Sequence, residues 1–533
     1  MKHLNHVLTS LALTLLAVNC SSDDTSNNGV PNPEGGAAGH TAGSGGKAAS
    51  GTGGQSGSPA ASAGTDNAGA GGTDLEFAGA GGQAGEAGAP NVVPFDGSCA
   101  TLPGKIVYIE SGDTQENLLK NLGRHLRDNS NISIAFNLTG SCTLINDIYS
   151  NAKVVPNGTL KYIPSTAEAP NWTVADAEPT CTTDATGVPI DLAISALFVE
   201  SCGLGGPPAG SNLDLIQGPI QAYTFVVPNA SSQTAIWSDE AYYTFGFGDA
   251  NPLAPTYDPW NKQSFMFIRT TTKSTLVAIA KNIGVPPAKW KGIPENLSSE
   301  VVSAVSGSAN PEATIGILGA EVYDGARTTA GIKTLAFQAL GQKGAFFPDS
   351  TSAAFDKQNL RDGHYALWSP TVYITPVNAS HVPSNPSVKY IEDLLFGNPV
   401  AAPPGGTPFD GLADVVKVGL IPECAMKVTR AADGGDLSVY TPDAPCTCYY
   451  LSKIPGASGT PAGCTACTSS ASCTGGACNH GFCEPNSVNT TGSTVAGCVS
   501  SAPASHSDLI NACTDAQAID KNVVLPQPKV PLP

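Results

Sequence analysis

One pattern limits the folds open to this chain more than any other. An apolar strand, a short loop rich in hydroxyl and small polar residues, and an apolar or amphipathic helix follow one another four times. KIVYIE (105–110) leads through ESGD into TQENLLKNLGRHLRDN, and ISIAFN (132–137) leads through LTGSC into TLINDIYSN. IDLAIS (190–195) leads into ALFVESC, and SFMFIR (264–269) leads through TTTKS into TLVAIAKNIG. In the first helix Leu118, Leu119, Leu122 and Leu126 make one apolar face at helical spacing, and Asp113 and Glu116 have the spacing of a capping box. Gly284 stands where a helix-ending glycine belongs. Strands alternating with helices predict an α/β fold with mixed, mostly parallel sheets. Ligands of such sheets gather at the carboxyl ends of the strands, and all four loops lie there. QGPIQAYTFVVPN (217–229) and HYALWSPTVYITP (364–376) read as two more buried strands, separated by a helix-rich block.

The flanks are of another kind. MKHLNHVLTSLALTLLAVNC carries a short apolar run, Val7 to Val18, too brief for a stable membrane span, and ends at Cys20. It reads as a lipoprotein-type signal peptide over residues 1–20 with Cys20 the lipidation site, although Asn19 stands where a small residue is usual; an ordinary secretory signal is the alternative. Residues 21–95 are dominated by Gly, Ala and Ser and bury too little apolar surface to offset their ordering entropy. They are expected to be a disordered tether with a reach of roughly 50 Å. Fifteen cysteines minus Cys20 leave fourteen, an even number, ten of them after residue 420. In an exported chain these predict disulfides. Cys464, Cys467, Cys473, Cys478, Cys483 and His480 could instead surround zinc, but an exported chain favours the disulfide reading.

Net charge −18 argues against non-specific nucleic-acid binding and a basic membrane patch. Charged residues make up only 13%, about half the usual share. The folded part lacks a P-loop, HExxH, GxSxG or EF-hand motif, so no enzymatic activity, catalytic residue, metal or cofactor is expected. The loops instead offer Ser and Thr hydroxyls at helix starts, where free backbone N–H groups and a partial positive charge favour anions. Arg269 adds a planar fork suited to oxyanions. Read one loop at a time, the same residues serve equally as helix caps.

Residues 104–430 resemble the phosphate-binding proteins of ABC transporters, a family of periplasmic solute-binding proteins that includes envelope lipoproteins. The likeness lies in TGSC (139–142), DLAIS (191–195), QGPIQAYTFVVPN, FIRTTTKST (267–275) and GQKGAFFPDSTSAAFDKQNLRDGHYALWSP (341–370). The resemblance implies two α/β lobes with a cleft between them: lobe 1 from 96–217 and 366–430, lobe 2 from 218–365. Residues 431–533 then form a small disulfide-rich appendage. It implies a ligand site of Ser111, Thr114, Ser141, Ser195, Arg269, Thr271, Ser274 and Thr275, with Arg269 as charged clamp and Ser141 opposite it. Two residues depart from the family. Ala196 replaces an aspartate that accepts a proton from hydrogen phosphate, and Lys273 opens a Lys-Ser-Thr where the family has Ser-Gly-Thr. The expected partners are phosphate or another small oxyanion, a transporter permease, and a bacterial membrane reached through the lipid anchor. The alternative is a cell-surface interaction lipoprotein that reuses the fold without transporting a solute.

Overall fold

The computed structural model describes residues 95–253, 259–401, 409–474, 476–484, 495–520 and 529–533, all within one compact unit, Gly88–Pro533. Cys20, the signal-like segment and residues 21–94 of the tether lie outside the described residues.

The first strands are β1 (Lys105–Gly112), β2 (Ile132–Thr139), β3 (Thr159–Tyr162), β4 (Thr180–Thr182), β5 (Leu192–Ser195), β6 (Leu213–Pro228) and β7 (Ala235–Trp237). They are followed by β8 (Met266–Arg269), β9 (Ile293–Glu295), β10 (Ile315–Gly319), β11 (Ile332–Thr334), β12 (Ala336–Gln338), β13 (Ala345–Phe346) and β14 (Trp368–Pro376). The helices that matter below are α1 (Glu116–Ser130), α2 (Ser141–Tyr149), α3 (Ser238–Phe247), α4 (Ser274–Ile283), α5 (Ser298–Ser306), α6 (Ala320–Ala326), α7 (Gln358–Asp362), α8 (Pro386–Leu395) and α9 (Gly411–Lys417).

Ten strands of the main sheet run in the order β4-β3-β2-β1-β5-β14-β6-β10-β8-β9, and β11 pairs with β6. The sheet is mixed: parallel pairs sit at the heart of each half, in β2-β1-β5 and β10-β8-β9, and antiparallel pairs come from the edge and the two strands that cross between halves. Of these, β6 is the long one. Its first part, Leu213–Gln217, pairs with β14 beside β5, and its later part, Tyr223–Val226, pairs with β10. A register shift between Pro370 and Val372 marks the point of crossing on β14.

Strand alternation explains the layers. Val107, Ile109, Ile132, Ile134, Phe136, Leu192 and Ile194 face α1, where all four predicted leucines are buried, together with α8 and α9. Ala193, Val372 and Ile374 face the other way, onto Leu144, Ile145 and Ile148 of α2. In the second half Phe225, Ile268, Ile315 and Ile317 meet α4, while Val226 and Leu318 meet α5 and α6. Gly284 ends α4 in the left-handed region at φ 75°, as its sequence position predicts. The stretch ALFVESC, expected as a helix, is only the short 3₁₀ turn Val199–Cys202. The Cys142–Cys202 disulfide anchors its end, and the GLGGPP that follows cannot continue a helix.

All fourteen cysteines after Cys20 pair in seven disulfides, five of them beyond residue 420. The Cys464-x-x-Cys467 pair does not act as a unit, because Cys464 bonds Cys448 and Cys467 bonds Cys478. Much of the C-terminal region is built into the larger core: Leu437, Tyr449, Tyr450, Leu509 and Ile510 share a cluster with β6 and α4, and Ala518–Ile519 pairs with β13. The stretch 464–483, a small three-stranded sheet, stands mostly exposed on its staples.

Candidate functional site

The carboxyl ends of β1, β2 and β8 bring loops of the two halves into direct contact. Gly140, just before α2, lies against Thr272: a Cβ there would stand 2.6 Å from Thr272 O, so this approach needs glycine. Cys142 N–H donates to Thr272 O at 3.4 Å, and Lys273 Nζ donates to Thr139 O at 3.1 Å. The residues between are polar and enclosed.

Arg269 ends β8 with 0% exposure. Its Nε donates to Glu295 O at 3.2 Å and its Nη2 to Asn296 O at 2.7 Å, Nη1 donates to Ser298 Oγ, and Nη2 pairs with Asp113 Oδ2 at 2.9 Å. The same Asp113 carboxylate accepts from Ser298 N–H at 3.2 Å and Ser298 Oγ–H at 2.9 Å, and Lys273 Nζ lies 3.5 Å from its other oxygen. Asp113 therefore caps α5 across the seam. It does not form the expected capping box with Glu116: the N-cap of α1 is Gln115, with no side-chain cap bond. Burial alone would raise the Asp113 carboxyl; Arg269 and Lys273 outweigh it and hold the group below its ordinary value. Burial lowers Lys273 in spite of Asp113.

This geometry changes the expectation for Arg269. Its guanidinium is turned to two backbone carbonyls, a serine and a carboxylate of the protein, and Ser141 does not oppose it. Ser141, the first residue of α2, accepts from Ala196 N–H at 3.1 Å. Ser195 is engaged with its own loop, donating to Leu197 O and accepting from Leu197 N–H. Ser111 is buried at the end of β1 and donates to Gly112 O. Ser274 is buried at the start of α4 beside Tyr223, whose hydroxyl donates to Ala196 O. Thr271 is exposed.

Two of the anticipated hydroxyls stand out. Thr114, 3% exposed, and Thr275, 0% exposed, each have an Oγ1 with no hydrogen-bond partner among the described residues. Buried polar atoms are nearly always paired, with protein or with ordered water, so each of these hydroxyls is available to a partner from outside the protein. Beside them runs a network that sequence reasoning missed. Gln115 Nε2 donates to Gln221 Oε1 at 2.8 Å, and Gln221 Nε2 donates to Glu321 Oε2. Gln115 Oε1 and Glu321 Oε1 are likewise unpartnered among the described residues. Burial lifts the Glu321 carboxyl to about 8, so it is mostly protonated at neutral pH and is a donor. The available signal was a carboxylate two residues after the all-apolar, fully buried strand IGILG, in the first turn of α6.

The charge balance follows. At the seam two cations, Arg269 and Lys273, face the Asp113 carboxylate directly, with Glu321 neutral, while the Glu300 carboxylate accepts from Asn296 and Leu297 N–H at the start of α5.

Outside the seam a cavity of about 810 Å³ opens between the halves, with Asp113, Ser298 and Glu321 on its wall. Among solved structures the chain is similar to PstS from Borrelia burgdorferi (14% identity over 60% of this chain and 98% of that one, TM-score 0.33) and to an ABC-type phosphate transport receptor from Vibrio cholerae (12% identity, 59% and 99%, TM-score 0.36). It is also similar to the reduced OxyR regulatory domain from Pseudomonas aeruginosa (8% identity, 54% and 96%, TM-score 0.29). No family model and no curated protein matches the chain.

Proposed function

We propose that this chain is an exported solute-binding protein that takes a small oxyanion at the seam between its halves. The observation that carries this reading is the enclosed, unpartnered hydroxyls of Thr114 and Thr275 on loops and helix starts near which Arg269 and Lys273 share one directly paired carboxylate, Asp113. Helix N-termini donate, and hydroxyls can donate as well as accept, so the two together suit an anion. Ser141, Ser274 and protonated Glu321 complete the donor set. Arg269 acts through Asp113 as a positioning residue, holding the loops that carry these donors. The sequence resemblance supports delivery to a transporter permease, with Cys20 as lipid anchor. Seven disulfides suit an oxidising compartment. The role is binding, with no chemistry done on the ligand.

One observation favours a second reading, the surface-interaction protein. Asp113 already supplies an anion to Arg269, Lys273 and the start of α5, so the seam is held together without a ligand. Calorimetric titration of the purified protein with phosphate, sulfate and small carboxylates separates the two. Saturable one-to-one binding that Thr275→Val weakens supports the oxyanion site. Absence of heat with every anion overturns it in favour of the second reading.

A further inference from the structure

Residues 529–533, Lys-Val-Pro-Leu-Pro, lie on α3, far from it in sequence. Val530 and Leu532 each precede a proline, which biases both toward extended backbone, and the prolines fix their own φ near about −65°. The segment is therefore inclined to a polyproline conformation before it touches anything, and ordering it costs little. Its contacts with α3 are of three kinds. Lys529 Nζ pairs with Asp239 Oδ1 at 2.5 Å and stands 4.9 Å from the centre of the Tyr242 ring. Asp239, in the first turn of α3, is 0% exposed, and a carboxylate so enclosed is costly without a cation. Val530 has both backbone groups held: Tyr242 Oη donates to its carbonyl at 2.8 Å, and its N–H donates to Tyr243 Oη at 3.0 Å. Leu532 packs against the core cluster beside Gly246, where its Cδ2 takes the space a Cβ would need. Lys289 Nζ then donates to Pro533 O at 2.6 Å.

The face itself is supported from its other side, because Ala241 and Phe245 of α3 pack in one cluster with Phe225 and Ile317. It also stands apart from the seam. Ser238 Oγ donates to Asn282 O in the last turn of α4, whereas Thr275 opens that helix, and ten helical residues span about 15 Å.

We propose that the α3 face is a peptide-recognition site for a lysine-led, proline-spaced segment, and that residues 529–533 are its detachable resident ligand. Asp239 selects the lysine, the two tyrosine hydroxyls hold the main chain, and the gap at Gly246 selects the leucine between the prolines. Aromatic-lined surfaces read proline-rich peptides in the same way, exploiting their low ordering cost.

A labelled KVPLP peptide and fluorescence anisotropy test this. In the full chain carrying Lys529→Ala and Leu532→Asp the resident segment is weakened, and the peptide is expected to bind saturably, one to one. The unaltered chain is expected to bind it at least about tenfold more weakly, since the tethered segment competes at an effective concentration on the order of millimolar. Replacing the peptide's lysine by alanine is expected to weaken binding about tenfold, and replacing its leucine about fivefold. Circular dichroism checks that the double variant is folded; if it is not, Lys529→Ala alone, which alters one half-buried side chain, takes its place. Absence of saturable binding to the folded variant overturns the proposal, and so does equal binding of a peptide with the same residues in scrambled order. Equal affinity for the variant and the unaltered chain places the peptide elsewhere and overturns it as well.

Discussion

Two buried ionic clusters invite comparison. In the second half Lys357, 1% exposed, pairs with Asp324 at 2.7 Å and Asp349 at 3.0 Å, and Arg327 stands 3.7 Å from Asp324. Two cations meet two carboxylates. Burial works against the Lys357 ammonium, but Asp324 and Asp349 outweigh it and hold the group above its ordinary value. The loop that carries Asp349 and the start of α7 is thereby tied to α6. At the seam, Arg269 and Lys273 meet Asp113 alone. Both clusters are enclosed, and both join distant parts of the chain. Their difference is the number of carboxylates in direct ion pairs with the two cations: Asp324 and Asp349 in one, Asp113 alone in the other. A balanced cluster is complete in itself, whereas an unbalanced one in a low-dielectric setting leaves attraction for an anion from outside.

The largest expected effect breaks the balanced cluster. Lys357→Met strands the buried Asp349 carboxylate, leaves Asp324 with Arg327 alone, and is expected to lower stability by about 3–5 kcal/mol without changing anion affinity. Urea denaturation and titration of the same sample check both halves of that statement. Asp113→Asn comes next and sharpens the comparison. It removes the internal anion, so stability falls by about 1–3 kcal/mol while oxyanion affinity rises at least about tenfold. Weaker binding in that variant would show that Asp113 helps to hold the ligand. Arg269→Ala, which reads from sequence as a binding variant with an intact fold, is expected instead to destabilise through loss of its contacts to Glu295, Asn296, Ser298 and Asp113.

Thr275→Val has a smaller effect and the opposite balance. It deletes a hydroxyl that has no partner among the described residues, so stability is unchanged or slightly raised, while anion affinity falls by about 1–1.5 kcal/mol. The smallest change comes from pH alone. Glu321 has a folded value of about 8 against an ordinary 4.5, so its neutral form is the one the fold favours. Stability from this group is fully present below 4.5 and is lost as pH rises toward 8. Above about 8 the ionised Glu321 adds a negative charge to the seam, and anion affinity falls. Titrations at pH 6.5 and 9 should differ in that direction, and Glu321→Gln should remove the difference.

The strands and most helices were legible because their signals are local. Apolar runs of 4–8 residues bounded by polar loops mark β1, β2, β8 and β14, and the leucine spacing of α1 needs no partner to be recognised. The positions of Ser141, Ser274 and Thr275 at helix starts were legible for the same reason, since hydroxyls after a strand are visible in one dimension; that they bind a ligand is the proposal made above. The role of Asp113 was not. Three residues before Glu116 it has every mark of a local cap, yet its partners are Arg269 and Ser298, more than 150 positions away. A cap to its own helix and a cap to a helix of the other half have identical local sequence. Only the packing chooses between them.

The amino-acid sequence by itself determined the alternation of strand and helix, the hydroxyl loops at strand ends, and the even set of cysteines after Cys20, since each depends on neighbours in the chain or on a count. The tertiary structure alone decided which cysteines pair, which half of the molecule Arg269 serves, and that Glu321 is buried deeply enough to hold its proton. Those properties depend on distance and on exclusion of water, and neither exists until both halves have folded against each other.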